Sequence, residues 1–260
     1  MPEPLRVTLV QTDLYWENPT ANLAMLEEKL SEHSEPTDVI ILPEMFTTGF
    51  TMNPAAVAEP MNLTTTRWMR QIAAQYEAVV LGSFVVQESG KYYNRLVWMQ
   101  PDGTCETYDK RHLFRMGNEH EVYTAGTRRL IHTWKGWKIC PLICYDLRFP
   151  VWSRNVDNQY DLLIYVANWP AARENAWKSL LTARAIENQC YTVGVNRVGN
   201  DGKGVPHAGA SGLIDFKGNW ISYPHSDPLI HTYTLNHEEL STFRDKFPAY
   251  LDGDRFEIVM

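Results

Sequence analysis

The segment Leu142-Ile143-Cys144-Tyr145-Asp146-Leu147-Arg148-Phe149-Pro150 constrains this chain most. An apolar run stops at a cysteine, and charged residues, an aromatic and a proline follow at once. That is the pattern of a buried strand, here Trp137–Cys144, ending in a sharp turn into a helix. A thiol held at such an end is expected to be exposed and close to backbone N–H groups that favour its anion. Most free cysteines are small buried hydrophobes, so chemistry at Cys144 depends on what the rest of the chain supplies.

Other apolar runs repeat the pattern. Leu5–Val10, Asp38–Leu42, Asp161–Ala167 and Tyr191–Val195 read as strands. Ala78–Val86 and Tyr92–Gln100 read as a strand pair, with a turn at Pro101-Asp102-Gly103. Ala210–Asp215 and Ile230–Leu235 complete the set. Helices fall between them. Asn18 and Pro19 are an N-cap and a first-turn proline ahead of Leu23, Leu26 and Leu30 at helical spacing. Asn62–Tyr76 carries Trp68, Ile72 and Tyr76 on one face, and Asn175–Gln189 is a further helix. From His237 the tail starts with a helical turn. Strands alternating with helices, without a linker, predict a single α/β domain over residues 1–260.

Composition removes several function classes. The net charge of −7 and pI of about 5.6 argue against a nucleic-acid surface, and Arg128-Arg129 is too short a basic cluster to reverse that. No apolar run reaches the roughly 18 residues of a membrane helix, and no secretory apolar region follows Met1, so a cytoplasmic location is expected. The four cysteines, Cys105, Cys140, Cys144 and Cys190, are too sparse for a disulfide framework. Cys140 and Cys144 lie roughly 13 Å apart along one strand, too far for one ion, and no His-x-x-x-His occurs, so no metal is expected. Neither Gly-x-Gly-x-x-Gly nor a Walker-type lysine loop is present. Gly199-Asn200-Asp201-Gly202-Lys203-Gly204 precedes no helix and reads as a surface hairpin or active-site rim.

Two upstream blocks give Cys144 its context. Asp38-Val39-Ile40-Ile41-Leu42-Pro43-Glu44 is an apolar strand ending in an acid, and Tyr108-Asp109-Lys110-Arg111-His112-Leu113-Phe114 sets a lysine beside a short apolar stretch. A strand-end Glu, Lys and Cys in that order resemble the nitrilase, or carbon–nitrogen hydrolase, superfamily. The resemblance runs from Gln11-Thr12 to Asp215-Phe216-Lys217-Gly218. It implies a four-layer α-β-β-α sandwich, a homodimer or higher homo-oligomer, and no cofactor.

The resemblance also implies roles. Glu44 is the general base, Lys110 stabilises thiolate and oxyanion, Cys144 is the nucleophile, and the Tyr145 N–H is a second oxyanion donor. A second glutamate, seven residues before a glycine, falls at Glu119 ahead of Gly126, with Glu121 as competitor. Relatives usually have Pro-Gly where this chain has Ala125-Gly126. A papain-like alternative needs a downstream histidine, and His207 sits in what reads as a solvated loop.

For substrate, Cys-Tyr-Asp-x-Arg-Phe-Pro is similar to the bacterial ω-amidase branch. That branch implies hydrolysis of 2-oxoglutaramate or 2-oxosuccinamate to the 2-oxo diacid and ammonia, including in methionine salvage. A nitrilase, or an amidase for another small amide such as deaminated glutathione, is the alternative. Asn168 and Trp169 are expected at the pocket floor. Arg148 or Arg173 is expected to meet a substrate carboxylate, unless Arg148 pairs with an acid behind the turn. Trp152, Trp169 and Trp177 are expected to crowd a small site.

Overall fold

The computed structural model describes residues 2–222 and 225–258. Its strands are β1 Leu5–Gln11, β2 Val39–Ile41, β3 Val79–Glu88, β4 Lys91–Met99, β5 Cys105–Asp109, β6 His132–Trp134, β7 Trp137–Ile143, β8 Leu162–Ala167, β9 Tyr191–Asn196, β10 Val198–Asn200, β11 Pro206–Ala208, β12 Gly212–Ile214 and β13 Leu229–Leu235. One sheet has the order β13-β1-β2-β3-β4-β5 and the other β12-β9-β8-β7-β6. Each has a parallel centre, β1-β2-β3 and β7-β8-β9, flanked by antiparallel strands.

Strand alternation divides the core. Val39, Ile41, Val79 and Leu81 face Ile139, Ile143 and Ile164 of the other sheet. Ile40, Leu42, Val80 and Val97 face outward onto Leu23, Leu26 and Leu30 of helix Pro19–Ser31 and Met69 and Ile72 of helix Thr64–Tyr76. The second sheet carries helices Glu174–Asn188 and His237–Lys246 through Trp177, Leu181, Ala185 and Leu240. The result is the α-β-β-α sandwich.

Local signals act as read. Asn18 Oδ1 accepts from Ala21 N at 3.1 Å, with Pro19 opening the helix. Asp102 Oδ1 accepts from Thr104 N at 2.9 Å in the turn between β4 and β5. The tail differs from expectation: a full helix, His237–Lys246, replaces the single turn, because Asn236 caps it and Leu240 and Arg244 are buried. Arg244 Nη1 reaches Asp161 at 2.7 Å, which anchors that helix to the start of β8. Among the described residues no helix is long and apolar enough to cross a membrane.

Candidate active site

Four strands end at one place. Glu44 follows β2, Lys110 follows β5, Cys144 follows β7 and Asn168 follows β8. Carboxyl ends of parallel strands are where open α/β sheets form clefts, and packing two such sheets face to face brings both sets of ends together. All four residues line one cavity of about 260 Å³.

Cys144 sits where β7 gives way to the helical turn Cys144–Arg148, with φ of 42°. A non-glycine residue in that left-handed region carries about 1–2 kcal/mol of strain. Asp146 holds the turn against it. Its carboxylate accepts from Ile143 N at 3.1 Å, Tyr108 OH at 2.7 Å, and His112 N and Nδ1 at 2.9 and 2.8 Å. Tyr108 and His112 flank Lys110, so this buried acid ties the cysteine turn to the lysine segment. Tyr145, second in the turn, has an N–H with no partner inside the turn.

The charged cluster is sealed from solvent. Glu44 and Glu119 are fully buried and Lys110 is 1% exposed. Lys110 Nζ donates to Glu44 Oε1 at 2.8 Å and to Glu119 Oε1 and Oε2 at 3.0 and 2.9 Å. Burial opposes the ammonium, but the charges of Glu119 and Glu44 outweigh it and raise the Lys110 pKa. Burial raises that of Glu119. Burial also pushes the Cys144 thiol well up, and the Glu44 carboxylate pushes it further against the pull of Lys110. This corrects the expectation of an exposed, anion-favouring cysteine: Cys144 is 9% exposed and its surroundings favour the thiol over the anion.

Glu119 and Glu121 separate cleanly. Glu119 also accepts from Phe114 N at 2.6 Å, whereas the Glu121 side chain is 62% exposed beside His120. Gly126, the glycine that locates Glu119, is required by packing. A Cβ there would lie 2.1 Å from the Asp109 carbonyl oxygen, and its N–H donates to Lys110 O at 2.9 Å. Replacing the usual proline by Ala125 leaves that contact intact.

Tyr145, Arg148, Asn168, Trp169 and Arg173 all line the cavity. The Arg148 guanidinium lies 4.9 Å from the Trp169 ring and that of Arg173 lies 5.3 Å from the Phe114 ring. Among the described residues neither is ion-paired, so Arg148 does not bind an acid behind the turn; Asp146 fills that place with His112 and Tyr108. The crowding by three tryptophans needs correction. Only Trp169 faces the cavity; Trp177 packs behind it, and Trp152 lies behind the turn donating to Tyr108 OH at 3.0 Å. His207 is corrected too: it is on β11, 7% exposed, and in the cavity wall. Burial, then the charge of Arg197, lowers its pKa, and its Nδ1 lies 3.0 Å from Val205 O.

Sequence reasoning missed Asn94. Mid-strand on β4, its Nδ2 donates to Glu44 Oε1 at 2.8 Å and Glu119 Oε1 at 3.3 Å. Asparagine is depleted in strands, and one between Tyr93 and Arg95 was the available signal. Phe50 was also missed; its ring lies 4.9 Å from Lys110 Nζ. Among the described residues no three His, Cys, Asp or Glu side chains are grouped to hold a metal ion.

The chain belongs to the carbon–nitrogen hydrolase family, whose model matches residues 6–245. It is 47% identical over 259 residues, 98% of each chain, to the omega-amidase YafV of Escherichia coli K12. It is 31% identical over 250 residues to the 2-oxoglutaramate amidase of Bacillus subtilis, covering 95% of this chain and 96% of that one. In structure it is similar to XC1258 from Xanthomonas campestris, a CN-hydrolase superfamily protein with an arsenic adduct in its active site. That match has a TM-score of 0.97 at 44% identity, over 99% of this chain and 100% of the other.

Proposed function

We propose that this protein is an ω-amidase, hydrolysing the terminal amide of a four- or five-carbon 2-oxo acid, 2-oxosuccinamate or 2-oxoglutaramate, to the 2-oxo diacid and ammonia. The observation that carries the reading is a single cavity holding Glu44, Lys110 and Cys144 with Arg148 and Arg173 in its wall. The names of the 47% and 31% identical relatives support it.

In this mechanism Glu44 takes the Cys144 proton and the thiolate attacks the amide carbon. The oxyanion is stabilised by the Tyr145 N–H and by Lys110. An ammonium has three donors; Glu44 takes one and the two Glu119 oxygens bracket another, leaving the third for the oxyanion. Protonated Glu44 delivers its proton to the departing nitrogen, and ammonia leaves a thioester on Cys144. Glu44 then deprotonates a water that attacks the thioester. The C–S bond breaks, the thiolate regains the proton, and the diacid departs. Asn94, Asn168 and Glu119 orient Glu44 and Lys110, and the arginines meet the substrate carboxylate. No step calls on a cofactor.

The working form in this reading is a cytoplasmic homodimer or larger homo-oligomer, which sedimentation of the purified protein tests. The test of function is an ammonia-release screen over short ω-amides, nitriles and ureido acids. Preference for 2-oxo acid ω-amides is the expected result. Preference for nitriles or neutral amides moves the protein to another branch of the family.

A further inference from the structure

The glycine-rich loop after β10 is not explained by the steps above. It forms the tip of the β10–β11 hairpin, paired Val198↔Ala208 through Asn200↔Pro206. Asp201 closes the tip: its Oδ1 accepts from Lys203 N at 2.8 Å and Val205 N at 2.9 Å, and its carbonyl accepts from Gly204 N at 2.9 Å. Gly204, with φ of 75°, supplies the left-handed residue the tight turn needs.

The hairpin is fixed from below. Fully buried Arg197 donates through Nε to Val198 O and through Nη2 to Asn200 O, both at 3.0 Å, and pairs with Asp13 in the loop after β1. The Trp16 ring lies against Gly202, where a Cβ would come within 2.3 Å of it. A turn held this firmly fixes the backbone from which its side chains project.

Lys203 at this tip is exposed yet lines the active-site cavity, as do Asp201, Val205 and His207. The cavity's charges are unequal. Lys110 is matched by Glu44 and Glu119. Among the described residues that line the cavity, Arg148, Arg173 and Lys203 remain against Asp201, whose Oδ1 is occupied by its own turn. Burial, and then the charge of Arg197, disfavour a proton on His207. The outer half of the cavity is therefore cationic. The two guanidiniums rest on aromatic rings, which suits a fixed planar grip. A lysine on a four-carbon stem is a movable point charge.

We propose that Lys203 is a specificity-determining residue, closing over the cavity mouth to contact the carboxylate of the 2-oxo acid head and to repel an α-ammonium on the carbon beside it. This rests on the ω-amidase reading and adds a residue on the rim to the two arginines of the wall.

The test compares wild type, Lys203→Met, Lys203→Arg and Lys203→Glu on 2-oxoglutaramate, butanamide and glutamine. Lys203 is exposed, and thermal melting checks that each variant folds. Lys203→Met is expected to raise KM for 2-oxoglutaramate about tenfold, the scale of one charge-assisted contact. Its KM for butanamide should change far less, and kcat should move little for either. The ratio of kcat/KM for 2-oxoglutaramate over glutamine should narrow. Lys203→Arg should stay close to wild type, and Lys203→Glu should shift the ratio further towards glutamine. Added salt should raise the wild-type KM for 2-oxoglutaramate more than that of Lys203→Met. A wild-type preference for the acid amide that survives Lys203→Met unchanged, or an equal KM rise for butanamide, overturns the Lys203 assignment alone. A wild type with no preference for acid amides overturns both the assignment and the ω-amidase reading.

Discussion

Asn168 holds Glu44 at two points: its backbone N–H donates to Glu44 Oε2 at 2.8 Å, and its side-chain amide donates to the Glu44 backbone carbonyl. The two residues are 124 positions apart and end strands of different sheets. The bond pair therefore joins the two sheets at the reacting centre. Glu44 Oε1 is taken by Lys110 and Asn94, so neither oxygen is free to rotate. Asn168→Ala keeps the backbone donor and loses the side-chain one. A fall in kcat of about tenfold is expected, the scale of one buried hydrogen bond, with KM nearly unchanged. Steady-state kinetics on the preferred amide decides this; a rise in KM alone makes Asn168 a substrate contact instead.

Cys144 is expected to carry the acyl group. Rapid quenching and mass spectrometry should place the adduct on the peptide containing Cys144, and Cys144→Ala should be inactive. Glu44→Gln removes the proton carrier from both half-reactions, and a kcat loss of about 10²- to 10⁴-fold is expected. Turnover persisting in Cys144→Ala reassigns the nucleophile.

Lys110 stands between two buried carboxylates, so its removal has two consequences. Turnover should fall by at least about 10²-fold, as for loss of one oxyanion donor. Stability should fall by about 3–5 kcal/mol at neutral pH, because Glu44 and Glu119 lose their cation. Burial already raises the Glu119 pKa, so Lys110→Met should regain stability as pH falls and a carboxyl takes up a proton. Lys110→Arg should also fail in turnover, since a wide fork does not fit a point-charge position. Denaturant melts between pH 5 and 8 test the first claim, and activity of Lys110→Arg near wild type defeats the second.

Asp146 is expected to act through geometry. Asp146→Asn puts an amide donor against His112, Tyr108 or Ile143, each already donating. The strained φ of Cys144 loses part of what maintains it. A kcat loss of at least about tenfold with KM little changed is expected in a variant that still melts cooperatively. Tyr108→Phe, which removes one donor only, should show the same split more weakly. Equal losses in kcat and in cooperativity would reduce Asp146 to a general stabiliser.

Asp38 should shape the acid limb of stability. Burial opposes its charge, but hydrogen bonds from Arg6 and Lys135 prevail and hold its carboxyl at about 2 against the usual 3.8. A depressed carboxyl stabilises the fold fully above its unfolded pKa, and the contribution fades as pH falls through the folded value. Asp38→Asn should cost on the order of 1–2 kcal/mol at pH 7, after allowance for its partly exposed partners. The difference from wild type should shrink from pH 4 to pH 2 and vanish below it. Urea melts of both proteins at pH 7, 4 and 2 measure it, and a constant difference removes the assignment.

Much of this protein is legible in its sequence. Apolar runs that stop abruptly mark strand ends, because burial needs continuous hydrophobicity and chemistry needs polar atoms at the edge. Ile41-Leu42 before Glu44 and Leu142-Ile143 before Cys144 show this without any long-range information. Asn18-Pro19 and Asp102-Gly103 encode their own cap and turn, since their hydrogen bonds close within a few residues. Such features depend on neighbours in the chain, so the chain alone determines them.

The tertiary structure decided the rest. Cys144 reads as exposed because its strand ends there, but in the fold it is buried beside Glu44 and Lys110, and burial together with the Glu44 carboxylate turns its pKa upward. His207 reads as a loop residue because its strand is three residues long and is completed only by pairing with β10. Trp152 reads as a pocket wall by proximity to Cys144, yet the turn sends it to the far side, towards Tyr108. Asn168 reaches Glu44 through the packing of the two sheets, Asn94 reaches it across strands of one sheet, and Lys203 reaches the cavity from the β10–β11 hairpin, none of them by spacing along the chain. Burial and charge coupling are properties of three-dimensional neighbourhoods, and two sheets closing face to face create a neighbourhood that no single segment specifies.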